Sequence, residues 1–214
     1  MKKILIIAAH FDDVELAAGG SISRWVREGK EVYKIVLTDN ITKFRKKNIN
    51  VEYEKSKEES TKAAKILGIK EVLDFPVERC LNLQYNKKQM KIIESFILDN
   101  NIDTVLMHHM FDVQQDHVHA FTISNVAARY CNRLLTYQSN KYILPIDFYP
   151  RYFVDITKDI NKKIEALNCY SSEHNRNNKL FDMTIQQNKV FGYQANLTTD
   201  DTYAEAFHII KFLE

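Results

Sequence analysis

A chain of 214 residues with 45% hydrophobic and 27% charged residues has the composition of a globular protein and is long enough to bury a substantial core. A formal net charge of +2 excludes the strongly basic surface expected of a nucleic-acid-binding protein. Three scattered cysteines, Cys80, Cys131 and Cys169, form no C-x-x-C pair and exclude a disulfide framework, which points to a reducing compartment.

Residues 3–9 open the chain with an apolar run, Ile4-Leu5-Ile6-Ile7-Ala8-Ala9, that predicts a strand buried on both faces, as in a parallel sheet. The run is broken by His10 too soon for a signal peptide, and no later segment reaches the length of a membrane span, so a cytoplasmic protein is expected. Residues 14–28 carry helical apolar spacing (Leu16, Ala17, Ile22, Trp25, Val26), with Gly29 as the stop. Residues 31–38 predict a second strand, completing a right-handed βαβ unit.

Residues 41–50 are polar and basic, with Lys43, Arg45, Lys46 and Lys47, and read as a loop. That loop is either a solvated charge run or an anchor for an anionic group of a substrate. Residues 53–67 predict a helix stopped by Gly68, and residues 71–75 a third strand closed by Pro76. A helix follows over 87–99, a fourth strand over 102–107, and a further helix from about 117 to 130. Short strands are expected at 134–138 and 149–155, a helix at 158–170, a polar loop at 175–179 and a helix at 180–190. Residues 203–213 fit helix or strand equally by periodicity. With 3 prolines, 5 glycines and no repeat, nothing marks a boundary. The expected fold class is α/β, a single domain over 1–214 with a doubly wound, mostly parallel sheet and helices on both faces.

Ionisable groups concentrate at two strand ends. The first has His10, Asp12, Asp13 and Glu15; the second has His108, His109, Asp112, Asp116, His117 and His119. In a parallel sheet these ends share one edge, where open α/β folds bind ligands. Two histidines and a carboxylate suit zinc with a fourth position left for water, and a second carboxylate can move that water's proton. Structural alternatives exist at each position. Asp12 and Glu15 fit a capping box, and adjacent acids suit a helix N-terminus. His117 could simply begin a helix, and one of His108 and His109 a hydrogen-bonded core residue.

Ala9-His10-Phe11-Asp12-Asp13-Val14-Glu15 resembles the AHPDDxE motif of the LmbE-like, or PIG-L, zinc-dependent N-acetylglucosaminyl deacetylases. Asp112-Val113-Gln114-Gln115-Asp116-His117 resembles the family's second motif, DxHxDH. Phe75-Pro76-Val77-Glu78-Arg79, the stretch around Tyr152 to Ser172, and Tyr203-Ala204-Glu205-Ala206-Phe207 extend the resemblance over nearly the full chain. It implies a Rossmann-like fold, zinc (or another divalent metal) held by His10, Asp13 and His117, and Asp12 as the base that activates water. The implied reaction releases acetate from an N-acetylated amino sugar or sugar conjugate. Two positions depart from the pattern: Phe11 replaces a proline, and Gln114 stands where a histidine assists the oxyanion, keeping hydrogen bonding but losing acid assistance.

Arg79, Lys57, Arg129 and Glu205 are further candidates for substrate contacts, each with a structural alternative. Tyr203 and Phe207 read as core rather than sugar-stacking groups. The alternatives to an N-deacetylase are a metal-dependent amidase on another amide and a non-catalytic sugar- or nucleotide-binding protein. Nucleotide binding is disfavoured because Gly19-Gly20 is no G-x-G-x-x-G, and a metal-free binding protein has only Gln114 in its support. Expected partners are a small amino-sugar substrate and, as for many soluble enzymes, further copies of the chain.

Overall fold

The computed structural model describes residues 1–44, 49–197 and 201–214. Fifteen elements follow in chain order: β1 (Lys3–Ala8), α1 (Asp13–Arg27), β2 (Glu31–Val36), β3 (Thr42–Phe44), β4 (Ile49–Val51), α2 (Tyr53–Leu67), β5 (Lys70–Glu71), α3 (Lys87–Asp99), β6 (Thr104–His108), α4 (Gln115–Ala127), β7 (Arg133–Tyr137), β8 (Tyr152–Asp155), α5 (Ile160–Leu167), α6 (Ser171–Gln194) and β9 (Ala204–Phe212).

Seven strands form one sheet in the order β5-β2-β1-β6-β7-β9-β8. The pairs from β5 to β7 are parallel, and β9 runs antiparallel to both neighbours. The apolar run of β1 explains its central place. Ile4, Ile6 and Ala8 face one core with α1, α2 and α5, whereas Leu5, Ile7 and Ala9 face a second core with α3 and α4. Each buried Ile or Leu contributes about 1.5–3 kcal/mol relative to exposure. From β1 the chain goes out to β2 and β5, then returns on the other side through β6 and β7. The topological switch therefore lies between the carboxyl ends of β1 and β6.

Three readings of the sequence are corrected and a fourth, left open between helix and strand, is decided. The basic stretch is no simple loop: Thr42–Phe44 and Ile49–Val51 pair as a small antiparallel ladder, while Arg45, Lys46 and Lys47 lie outside the described residues. The third strand is only two residues, because the chain leaves the sheet after Glu71 and rejoins at Glu78. There the Glu78 N–H donates to the Leu37 carbonyl and the Asp39 N–H to the Glu78 carbonyl, each at 2.8 Å. Residues 175–179 are part of α6, with non-helical backbone angles at Asn177 (φ −156°, ψ 75°); the polarity that suggested a loop belongs to exposed Asn175 and Lys179 and to Arg176 and Asn177, which line a cavity. The ambiguous C-terminal stretch is strand β9, whose Ala204, Ala206 and Phe207 are buried because it is paired on both edges.

Helix α1 is gripped at its middle by an ion pair. The Gly20 N–H, whose helical partner is the Leu16 carbonyl, donates to Glu205 Oε1 at 3.1 Å, and the Ser21 N–H donates to Oε2 at 2.6 Å. Lys163 Nζ donates to the Leu16 carbonyl at 2.8 Å and to Glu205 Oε1 at 2.5 Å. Glu205 is thus a buried structural charge. Gly20 is required by this close approach, since a Cβ there would stand 2.6 Å from Ile156 Cδ1.

Candidate metal centre and catalytic cavity

His10 follows the carboxyl end of β1, Asp13 opens α1, and His117 sits in the first turn of α4, which starts beyond the end of β6. Two strand ends and two helix starts therefore meet at the switch point. His10 Nδ1 lies 3.2 Å from His117 Nε2 and 3.3 Å from Asp13 Oδ2, and His117 Nε2 lies 3.3 Å from Asp13 Oδ1. Zinc bonds of about 2.0–2.1 Å in a tetrahedron place ligand atoms roughly 3.3 Å apart. The three donors thus fit one face of such a site, and all lie within 4.8 Å of one another.

The outer nitrogens decide the tautomers. His10 Nε2 is 3.1 Å from Asp116 Oδ2, and His117 Nδ1 is 3.0 Å from Asp112 Oδ2. A carboxylate on the far nitrogen takes its N–H, which leaves both inner nitrogens with lone pairs turned on each other and on Asp13. Such an arrangement calls for a positive charge. Burial opposes protonation of His10 and His117, yet the neighbouring Asp13 carboxylate pushes both above the ordinary imidazole range. Burial likewise opposes ionisation of Asp13, but His117, His108 and His10 hold it well below the carboxylate range. Asp13 is oriented by the Ser139 hydroxyl, which donates at 2.8 Å, and by the His10 N–H at 2.7 Å.

His108 is a core histidine. Its Nε2 accepts the Ala9 N–H at 3.0 Å, its ring stacks on His117, and burial together with His117 lowers its pKa to about 4. His108 thus stays against the triad, its Nε2 3.2 Å from Asp13 Oδ2, whereas His109 pairs Nδ1 with the Thr136 hydroxyl at 3.1 Å.

Asp12 does not form the capping box that its spacing allows. It stands at the N-cap of α1 with no side-chain cap bond, and Glu15 is instead buried against Lys34 Nζ at 2.8 and 3.0 Å. Burial and the Asp13 charge raise the Asp12 pKa, making its carboxylate a stronger base than an exposed aspartate. The peptide before it is gripped from behind: Lys34 Nζ donates to the Phe11 carbonyl at 2.7 Å, and the Tyr170 hydroxyl donates to the same carbonyl at 2.8 Å.

A cavity of about 600 Å³ opens over these groups, lined by His10, Asp12, Asp13, Gln114, Glu173 and Arg176 among others. Gln114 serves as N-cap of α4, its Oε1 accepting the His117 N–H at 2.8 Å. That bond fixes the amide orientation and leaves the Nε2 hydrogens as the donors of this cavity-lining side chain. Glu173 and Arg176 on α6 were not singled out by sequence; a polar helix gives no signal of which residue turns inward. They form an ion pair, and burial plus the Asp12 charge raise the Glu173 pKa to about 7. Lys43 also lines the cavity.

The remaining candidates stand elsewhere. Lys57 lies over the Tyr53 ring, 5.7 Å from its centroid, beside a different small pocket. Arg129 follows the last turn of α4, opposite the end that carries His117, and pairs with Glu94. Arg79 is exposed on the loop next to Cys80 and is not a cavity-lining residue. Tyr203 packs against the core and Phe207 is buried in it.

The family profile PIG-L, described as GlcNAc-PI de-N-acetylase, matches residues 5–128, which carry both halves of the triad. The chain belongs to the PIG-L family. Within the reach of this PIG-L resemblance, the uncharacterized deacetylase YaiS of Escherichia coli K12 is 31% identical over 185 residues, 80% of this chain and 91% of that protein. Diacetylchitobiose deacetylase of Thermococcus kodakarensis is 28% identical over 191 residues, 81% of this chain and 70% of its own. Among solved structures, GalB of Pseudomonas putida KT2440, a 4-carboxy-2-hydroxymuconate hydratase, superposes with a TM-score of 0.78 at 18% identity, covering 98% of this chain and 96% of GalB. That likeness is one of fold, and shows that a PIG-L-like scaffold does not by itself choose the reaction.

Proposed function

We propose that this PIG-L family protein is a metal-dependent hydrolase that removes the N-acetyl group from an amino sugar or sugar conjugate, with zinc as the expected ion. The observation that carries the reading is the inward-facing triangle of His10 Nδ1, His117 Nε2 and Asp13 with the uncapped carboxylate of Asp12 beside it. The deacetylase names of two relatives supply the acyl group and the sugar.

His10, Asp13 and His117 would hold the ion, and Asp112 and Asp116 fix the two imidazoles in the tautomers that do so. A divalent ion bound there supplies Lewis acidity, easing deprotonation of water and drawing charge from the amide carbonyl. Asp12 accepts the proton of the attacking water as the carbon–oxygen bond forms. When the carbon–nitrogen bond breaks, Asp12 returns that proton to the departing amine nitrogen, so acetate and a free amine leave. Gln114 Nε2 offers a neutral hydrogen bond to the developing oxyanion where the family motif has histidine. Glu173 and Arg176 offer polar contacts to the sugar from the cavity wall.

A screen of N-acetylated amino sugars, nucleotide sugars and sugar conjugates for acetate release tests this reading. Release is expected with zinc present and is abolished by chelation. Turnover of a substrate without acetate release would replace the reading by hydrolysis of another amide or by hydration, the reaction named for GalB.

A further inference from the structure

A second set of donors converges behind the triad. His10 turns its other nitrogen, Nε2, away from Asp13 and towards Asp116 Oδ2 at 3.1 Å. Cys80 Sγ lies 3.7 Å from the same oxygen. The three ligand atoms are all within 4.8 Å of one another. For zinc, bonds of about 2.0–2.1 Å to nitrogen or oxygen and about 2.3 Å to sulfur place N and O roughly 3.3 Å apart and S and O roughly 3.6 Å apart. The nitrogen–oxygen and sulfur–oxygen separations match these values, and the third edge, Cys80 Sγ to the His10 ring nitrogen, lies within 4.8 Å.

The supporting shell is built as well. The Leu81 N–H donates to Asp116 Oδ2 at 2.8 Å and the Leu83 N–H to Oδ1 at 3.2 Å, which locks the carboxylate against rotation. Cys80 is 6% exposed, and that remaining surface faces the catalytic cavity, whose lining it shares with His10. The cavity gives an entry path and room for a water as the fourth ligand. A thiolate in the donor set selects soft, thiophilic divalent ions over magnesium or calcium.

We propose that His10 Nε2, Cys80 Sγ and Asp116 Oδ2 form a second cation site for thiophilic divalent ions, sharing the His10 ring with the triad, and that filling it arrests the reaction proposed above. The sharing rests on the reading of His10 as a ligand of the first ion. Binding breaks the S–H bond of Cys80 and the N–H bond at His10 Nε2, forms ion–sulfur and ion–nitrogen bonds, and releases two protons to solvent with no change of oxidation state. His10 then loses Asp116 as the acceptor that set its tautomer. A second positive charge stands across the ring from the first, and the cavity wall beside Asp12 carries an ion.

Cadmium titration of the full chain tests this, followed by cadmium–thiolate charge-transfer absorption and by proton release in weak buffer. Two ions per chain are expected. The second brings the thiolate band and two protons, and cuts acetate release by the loaded protein at least 10-fold. Cys80→Ser is expected to bind one ion, show no band, and no longer lose its own rate to the second equivalent. One ion and no band in the wild type overturns the second site and leaves the triad standing. A band that survives in Cys80→Ser assigns it to Cys131 or Cys169 and overturns the site. No ion at all overturns both sites.

Discussion

At the scale of single residues, two adjacent aspartates have separate work. Asp13 faces the imidazoles and is driven to ionise, whereas Asp12 is raised by burial and by its neighbour. Asp13→Ala and His117→Ala are therefore expected to lose the metal, measured as ions per chain after gel filtration; full retention in both would remove them as ligands. Gln114 combines a cap with a place in the cavity. Gln114→Ala is expected to cost about 1 kcal/mol of stability through the lost cap, read by denaturant unfolding. It is also expected to slow acetate release at unchanged metal content. A rate untouched by Gln114→Ala would confine this residue to its cap. The sequence motifs put His10, Asp12, Asp13 and His117 together; in the structure His10, Asp12 and Asp13 line the cavity, and His117 stands buried behind them within reach of His10 and Asp13. The same motifs did not show Asp116 and Asp112 as the carboxylates behind the two rings, although both lie within the second motif. Spacing along a loop says little about which atom a side chain reaches.

At the scale of elements, the turn between β1 and α1, which carries the proposed base and ligands, is held from beneath. Lys34 on β2 and Tyr170 before α6 both donate to the Phe11 carbonyl, and Lys34 also engages Glu15 and Ser60 Oγ. Lys34→Met would strand the Glu15 carboxylate without its ammonium, an expected loss of about 3–5 kcal/mol. Lys34→Met combined with Glu15→Gln should recover much of that loss in urea denaturation. Equal destabilisation of the single and double variants would mean that the pair does not set the cost. The strands β1 and β6 were legible because parallel strands buried on both faces are written as near-continuous apolar runs, and β2 and β7 because apolar residues still dominate around Lys34 and Thr136. The pair β3–β4 was not, since Thr42–Phe44 and Ile49–Val51 stand apart from the main sheet and carry polar residues. Strand β5 was overextended because Leu73 and Phe75 look strand-like, although only Phe75 is buried. The inward turn of Glu173 has no hydrophobic signature, because its neighbours in the first turn of α6, Ser171, Ser172 and His174, are polar as well.

At the scale of the whole molecule, the sheet order explains why the active groups are far apart in sequence and close in space. Reversal of the strand order between β1 and β6 opens one crevice, and both motifs end at its rim. No described helix is long and apolar enough to cross a membrane. Stability should depend on pH through His109, whose ring meets Phe111, Phe148 and His208. Burial, and then His208, lower its pKa to about 4. Between about pH 6.5 and 4 the unfolded chain binds a proton at His109 that the folded chain does not, so its contribution is present above pH 6.5 and is lost as pH falls through that window. One such proton changes stability by about 1.4 kcal/mol per pH unit. His109→Phe is expected to flatten the stability profile between those values; an unchanged slope would show that His109 does not titrate there.

The central claim is that Asp12 moves the proton of the attacking water while His10, Asp13 and His117 hold the ion. Its most direct test is acetate release by Asp12→Asn, measured on a substrate that the wild type turns over and on a sample whose metal content is determined in parallel. The predicted result is metal retained at the wild-type level with the rate reduced by roughly 10²–10⁴-fold, the usual worth of a positioned acid–base group. Turnover within a few-fold of wild type, with the metal in place, would contradict it.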